Sequence, residues 1–174
     1  NSKNSGYNVT QFYAGDLHPG NGVDEYLAGA QDNGSHRFAS GGGVVSTIEV
    51  TGGDGAFCHI DQDNPAIQIT SYVYNNYWVT TNSWASQTRR FFTSNSGSFI
   101  NPSDYDDNAN ILYAAASTSS YFRWNNPATA GTSTDAVSVT GMGSAIRHVK
   151  VSPGIANRVY FGLNNGNVVY VDNA

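Results

Sequence analysis

No window of the chain carries a convincing 3.6-residue apolar period. Short β-branched and aromatic runs are instead separated by clusters of Gly, Asn, Asp and Pro, the pattern of strands and turns. Four hairpin-like segments stand out: "YLAGAQDNGSHRFA" from Tyr26, "IQITSYVYNNYWVTTN" from Ile67, "ILYAAASTSSYFRWN" from Ile111 and "VYFGLNNGNVVYVDN" from Val159. Their polar turns centre near Asn33, Asn76, Ser119 and Asn165, at spacings of 43, 43 and 46 residues. A second feature repeats in phase. Each hairpin follows a short strand that ends in a polar turn: "QFYAGDLHPGNG", "FCHIDQDNPA", "FINPSDYDDNAN" and "IRHVKVSPGIAN". Pro19, Pro65 and Pro153 sit in or beside these turns, where a fixed φ and a missing N–H cost nothing.

After the first three hairpins a further strand follows, "GVVSTIEV", "TRRFFTS" and "DAVSVTG". Four strands per unit at a period of about 45 residues is the signature of a β-propeller. The predicted fold is therefore all-β, a single propeller-type domain spanning 1–174, with blade-like units at about 8–51, 55–95, 98–140 and 145–174. The last unit ends after its third strand, and the N-terminal "SGYNVT" is a candidate to complete it. Otherwise four blades form an open arc whose edges self-associate or belong to a larger propeller. The expectation is a segment of a larger propeller.

Composition narrows the setting. Of the 174 residues 39% are apolar but only 12% charged, about half the usual share, so solubility rests on Asn, Ser, Thr, Gly and Tyr. The formal net charge of −5 argues against nucleic acid or an anionic membrane as partner. The single Cys58 excludes an intramolecular disulfide framework, and no apolar run is long enough to span a membrane as a helix. "NSKNSGYNVT" has neither the basic nor the apolar region of a signal peptide, so a processed chain or a piece of a longer one is expected. The mix suits a secreted or cell-surface bacterial protein.

Propeller connectivity turns strand order into a statement about faces. Loops joining strands 2 and 3 share a face with loops joining strand 4 to the next blade. That places "QDNG" (Gln31, Asp32, Asn33, Gly34) and "GGDG" (with Asp54) together, along with Asn76, Tyr77 and Trp78 of the second hairpin. "LAGAQDNGS" followed by "GGDGAFCHIDQDNPA" resembles the bacterial secreted propellers with Asp-box, sialidase-type repeats, a group that includes xyloglucanase-like glycosidases and the sortilin-type receptor domain. The match is closest over about residues 10–85. The best Asp-box candidate, "TSNSGSF" (93–99), departs from the motif with Asn95 in the place of its Asp. The resemblance implies a propeller in an extracellular setting. It carries no active site onto named residues.

Asp32 and Asp54 are the candidate catalytic pair, since a glycosidase needs two carboxyl groups about 5–9.5 Å apart. Against this, Asp32 and Asn33 are turn residues, and Asp54 among glycines can tie down a loop by hydrogen bonds to backbone. Gln31, Asp32, Asn33, Asp54, Asn76, Tyr77 and Trp78 are the candidate ligand-binding set, with Tyr77 and Trp78 as stacking surfaces for a sugar. The acid-rich "DQDN" and "DYDDN" turns lack EF-hand spacing. Cys58 and His59 are adjacent on a strand and point to opposite faces. No metal or cofactor is therefore expected. Among the arginines a sialidase would converge on a carboxylate, only Arg147 falls on an innermost strand. The expected function is a non-catalytic module binding a glycan or protein partner on the loop face. The alternatives are a fragment of a glycoside hydrolase and a purely structural repeat.

Overall fold

Each of the four hairpins folds as two antiparallel strands, and each is preceded by a short inner strand. The computed structural model describes residues 10–39, 47–91, 96–129 and 134–174. Blade 1 comprises β1 (Phe12–Leu17), β2 (Glu25–Ala30), β3 (Gly34–Ala39) and β4 (Thr47–Thr51). Blade 2 comprises β5 (Cys58–Ile60), β6 (Gln68–Ser71), β7 (Asn76–Thr80) and β8 (Thr88–Phe91). Blade 3 comprises β9 (Ser103–Asp106), β10 (Ile111–Ala115), β11 (Ser120–Asn125) and β12 (Thr134–Ser138). Blade 4 comprises β13 (Ile146–Val151), β14 (Arg158–Leu163) and β15 (Val168–Asp172). Every sheet is a meander in chain order, so the protein is an all-β, four-bladed propeller with no helix among the described residues. The strand expected from "SGYNVT" falls almost wholly outside the described residues, as do parts of "GVVSTIEV" and "TRRFFTS".

Three apolar clusters join the blades in series. Leu27 of blade 1 packs on Cys58 and Ile60 of blade 2. Ile69, Tyr77 and Val79 of blade 2 meet Leu112, Phe122 and Trp124 of blade 3. Tyr113 and Tyr121 of blade 3 meet Val149, Val159 and Phe161 of blade 4, with the Tyr121 and Phe161 rings stacked at 4.8 Å. Alternation makes this possible: along β14, Val159, Phe161 and Leu163 are buried against blade 3 while their neighbours turn the other way.

The turns follow the chemistry of their residues. Tyr74 and Asn75 both take positive φ (55° and 59°) between β6 and β7, the backbone of a tight hairpin turn. That turn lies one to two residues before the expected centre, and Asn76 begins β7 rather than capping the tip. Gly29 is required for another reason: a Cβ there would collide with the backbone of Ala56, where blade 1 meets the chain entering blade 2.

Blades 1 and 2 are also tied by a polar chain beneath their apolar contact. Arg37 pairs with both oxygens of Glu25 at 2.8 and 2.9 Å. Gln68 Nε2 donates to Glu25 Oε1 at 2.8 Å, and Trp84 Nε1 donates to Gln68 Oε1 at 2.6 Å. Burial alone would raise the Glu25 carboxyl pKa, but hydrogen bonds from Arg37 and Gln68 hold it below its ordinary value.

Leu112 is wholly buried between blades 2 and 3. Leu112→Ala is expected to lower unfolding free energy by about 2–5 kcal/mol, through lost burial and a residual cavity. Urea denaturation followed by tryptophan fluorescence measures it.

Candidate functional site

Two regions gather polar side chains: the loop face predicted from connectivity, and the channel between the four inner strands.

On the loop face, the chain entering blade 2 laces the β2–β3 turn. Gly34 N–H donates to the Gly53 carbonyl at 2.6 Å, Gly55 N–H donates to the Ala30 carbonyl at 2.8 Å, and Asp54 Oδ1 accepts the Asp32 N–H at 3.0 Å. Asp32 adopts a left-handed conformation, φ 57°, and is exposed. The two acids are thus neighbours, joined by a carboxylate that one of them lends to the backbone of the other. Gln31 Oε1 accepts from the Tyr13 hydroxyl at 2.9 Å, while Asn33 Nδ2 donates to the Gln31 carbonyl at 2.9 Å. One blade on, a buried side-chain pair joins the corresponding segments, where Asn101 Nδ2 donates to Asn75 Oδ1 at 2.6 Å.

Alternation along β7 separates the two aromatic candidates. Tyr77 points into the core, fully buried, and its hydroxyl donates to Asn75 Oδ1 at 2.9 Å. Its ring is not available for stacking at the surface, because period-2 pleating sends it to the blade 3 side. Trp78 takes the opposite side and remains half-buried. The Arg89 guanidinium lies 5.8 Å from the Trp78 ring and 5.9 Å from that of Tyr72, and Arg89 donates to Asn76 Oδ1 at 3.1 Å. Tyr72 in turn packs beside Gly53: a Cβ there would come within 2.7 Å of its ring. Tyr72 therefore connects the Asp54 loop to Arg89, Trp78 and Asn76, making one continuous surface. Tyr72 and Arg89 lie outside the candidate set drawn from the sequence. Cross-strand register, Trp78 opposite Arg89, is the signal that unites them.

The channel forms a cavity of about 310 Å³ lined by residues of all four inner strands, among them Asp16, His59, Asp104, Tyr105, His148 and Lys150. Two of its acids, Asp16 and Asp104, hold backbone groups of the next blade. Asp16 Oδ2 accepts the Ile60 N–H at 2.7 Å, and Asp104 Oδ2 accepts the Val151 N–H at 2.7 Å and Lys150 Nζ at 2.8 Å. His59 shares a 3.0 Å hydrogen bond with Ser103 Oγ. Burial drives the His59 pKa below its ordinary value; Asp104 and Asp16 oppose this and Lys150 reinforces it. On the opposite face of the same strand, burial pushes the Cys58 thiol pKa up, as suits a small core residue.

Below the channel, Asp61 Oδ1 accepts the N–H groups of Asp63 and Asn64 at 2.9 and 2.7 Å, while its Oδ2 accepts the Tyr105 hydroxyl at 2.9 Å. In the next blade Asp106 Oδ1 accepts the Ala109 N–H at 3.0 Å. Among the described residues no group of three or more His, Cys, Asp or Glu side chains is arranged to hold a metal ion. The Asp-box candidate at 93–99 lies partly outside the described residues; within it, Phe99 meets Tyr74 edge-on at 5.5 Å.

No family model matches the chain, and no curated protein matches it. Solved structures do. The chain is similar to the computationally designed Ika4 protein, at 11% identity and a TM-score of 0.63, covering 96% of this chain and 94% of that one. It is similar to a segment of an ancestral GH74 enzyme, at 16% identity and a TM-score of 0.64, over 94% of this chain and 23% of the enzyme. It is also similar to the β-propeller domain of Cps50 (Swd1) from Myceliophteria thermophila, at 7% identity and a TM-score of 0.64, over 95% of this chain and 54% of that one. At these identities the likeness is one of fold.

The buried His59 yields a pH dependence whose sign follows from linkage. Its folded pKa lies below the unfolded value of about 6.5, so the unfolded chain binds a proton first as pH falls. Stability is expected to decline below about pH 6.5 until the folded pKa is passed, and His59→Gln to flatten that segment of the curve. Urea midpoints measured from pH 7.5 to 5 check both.

Proposed function

We propose that the chain is a non-catalytic recognition module of a secreted or cell-surface protein, binding a glycan across the loop face of blades 1 and 2. The observation that carries this reading is the Asp54 carboxylate, which accepts the Asp32 N–H and so holds the turn in shape. An acid that accepts a backbone N–H fixes the shape of the turn, which suits a surface organised for recognition. Beside it, half-buried Tyr72 and Trp78, with Arg89, Asn76, Gln31 and Asn33, supply apolar plates ringed by hydrogen-bonding groups, the mixture that small-ligand sites use. The resemblance of "LAGAQDNGS" and "GGDGAFCHIDQDNPA" to Asp-box propellers supports the extracellular, bacterial setting. A fragment of a glycoside hydrolase is the second reading, and the likeness to the GH74 enzyme favours it. In that reading Asp32 and Asp54 divide the roles of acid and nucleophile or base.

A glycan array followed by calorimetry separates the two. Binding is expected for the wild type, with Trp78→Ala weakening it about tenfold or more and Asp32→Asn leaving it within about threefold. No reducing ends should accumulate with any bound glycan. Hydrolysis abolished by Asp32→Asn or Asp54→Asn would establish the second reading instead.

A further inference from the structure

The proton position on one channel imidazole is dictated by its neighbours. His59 is 6% exposed, lines the cavity of about 310 Å³, and shares a hydrogen bond with Ser103 Oγ through Nε2 at 3.0 Å. Ser103 also hydrogen-bonds the Tyr77 hydroxyl, which donates to Asn75 Oδ1 at 2.9 Å. The far end of this series fixes its direction. Asn75 Nδ2 donates to the Ala115 carbonyl at 2.9 Å, which leaves Oδ1 as the acceptor for Tyr77 and for Asn101 Nδ2.

One set of proton positions makes every one of these contacts a hydrogen bond. Tyr77 directs its single hydroxyl proton to Asn75 and accepts from Ser103. Ser103 directs its own to Tyr77 and accepts from His59. Burial favours the neutral form of the ring. The one proton of that neutral imidazole therefore sits on Nε2, and Nδ1 carries a bare lone pair. Nδ1 has no hydrogen-bond partner among the described residues, so its lone pair is open to a donor in the cavity. Ser103, with its proton turned toward Tyr77, is not a nucleophile activated by this histidine.

The rest of the lining is also rich in acceptors. Asp104 Oδ2 takes the Val151 N–H and Lys150, but its Oδ1 has no partner among the described residues. Asp16 gives one oxygen to the Leu17 N–H and the other to the Ile60 N–H, and Asp107 adds a third carboxylate. Counted with the imidazoles neutral, these three carboxylates face one ammonium, Lys150. We propose that the channel binds a small organic cation through a primary ammonium group, which donates to His59 Nδ1 and Asp104 Oδ1. An ammonium supplies what this lining lacks, several N–H donors and a positive charge. A metal ion fits less well, since among the described residues no three His, Cys, Asp or Glu side chains are placed to hold one. Ala14, Phe57 and Val149 in the same lining offer apolar contact to a short alkyl chain. The proposal is independent of what the loop face binds.

Long-range proton–nitrogen NMR of the histidine rings in the 174-residue chain, with butylamine added near neutral pH, tests it. The protein alone should show His59 protonated at Nε2 and bare at Nδ1, and butylamine should shift the Nδ1 resonance saturably. Tetramethylammonium, which has the charge but no N–H, should leave it unmoved. So should glucose, which has donors but no charge. Calorimetry supplies the affinity. His59→Gln keeps a donor for Ser103 but removes the Nδ1 acceptor, and should weaken butylamine binding about tenfold or more, with an unchanged circular dichroism spectrum. A proton on Nδ1, or an Nδ1 resonance that butylamine does not move, overturns the proposal. So does an equal response to tetramethylammonium or glucose, or undiminished binding to His59→Gln.

Discussion

A blade of this propeller is apolar on both of its faces, and that constraint governs everything else. A four-stranded sheet standing alone would expose Leu, Val and Tyr on both faces, so each blade draws stability from packing on its neighbours. The structure meets this by alternation. In blade 3, Leu112 and Trp124 cover blade 2 while Tyr113 and Tyr121 cover blade 4. Period-2 pleating sends successive residues of one strand to different interfaces, and the blade becomes a wedge with two cores. Along the inner strands polar contacts are added to the apolar ones. A carboxylate of one blade takes a backbone N–H of the next, as Asp16 does with Ile60 and Asp104 with Val151.

These straps explain how a chain with few charges uses them. Several acids sit where they satisfy backbone donors rather than solvent: Asp54 at the Asp32 turn, Asp61 and Asp106 in the lower turns, Asp16 and Asp104 in the channel. A donor shielded from water and left unpaired costs more than a surface ion pair returns, so a carboxylate contributes most at the part-buried straps to Ile60 and Val151. The loop face inherits its shape from the same lacing. Its candidate groups, Arg89 between Tyr72 and Trp78 with Asn76 beside them, stand on or next to strands and adjoin a pinned loop. That arrangement supports a preformed surface, which is the state in which recognition costs least entropy.

Much of the fold was legible along the chain because turns and pleats are local. Gly34, Asn75 and Asp32 adopt positive φ where the sequence marked turns, and the 43-residue spacing reflects the same strand–turn order recurring in successive blades. The candidate site was only partly legible. Asp32 and Asp54 could be assigned to one face by connectivity alone, and the structure brings them together there. Which of Tyr77 and Trp78 faces out depends on register to within one residue, and a one-residue difference exchanges core for surface. The expected turn centre at Asn76, rather than Tyr74–Asn75, was the local shift that obscured it.

What the amino-acid order determined by itself was the meander of four sheets, their period and the sharing of faces by alternate loops, since each rests on strand propensity, turn chemistry and connectivity. Only the tertiary structure decided what each polar side chain does. Asp54 is a backbone acceptor because the chain entering blade 2 runs alongside a turn 22 residues earlier in the sequence. His59 is neutralised by burial against Ser103, 44 residues away in the next blade. Such roles depend on the distance and solvent exposure that arise when one blade closes on another, and no spacing within a single blade encodes them.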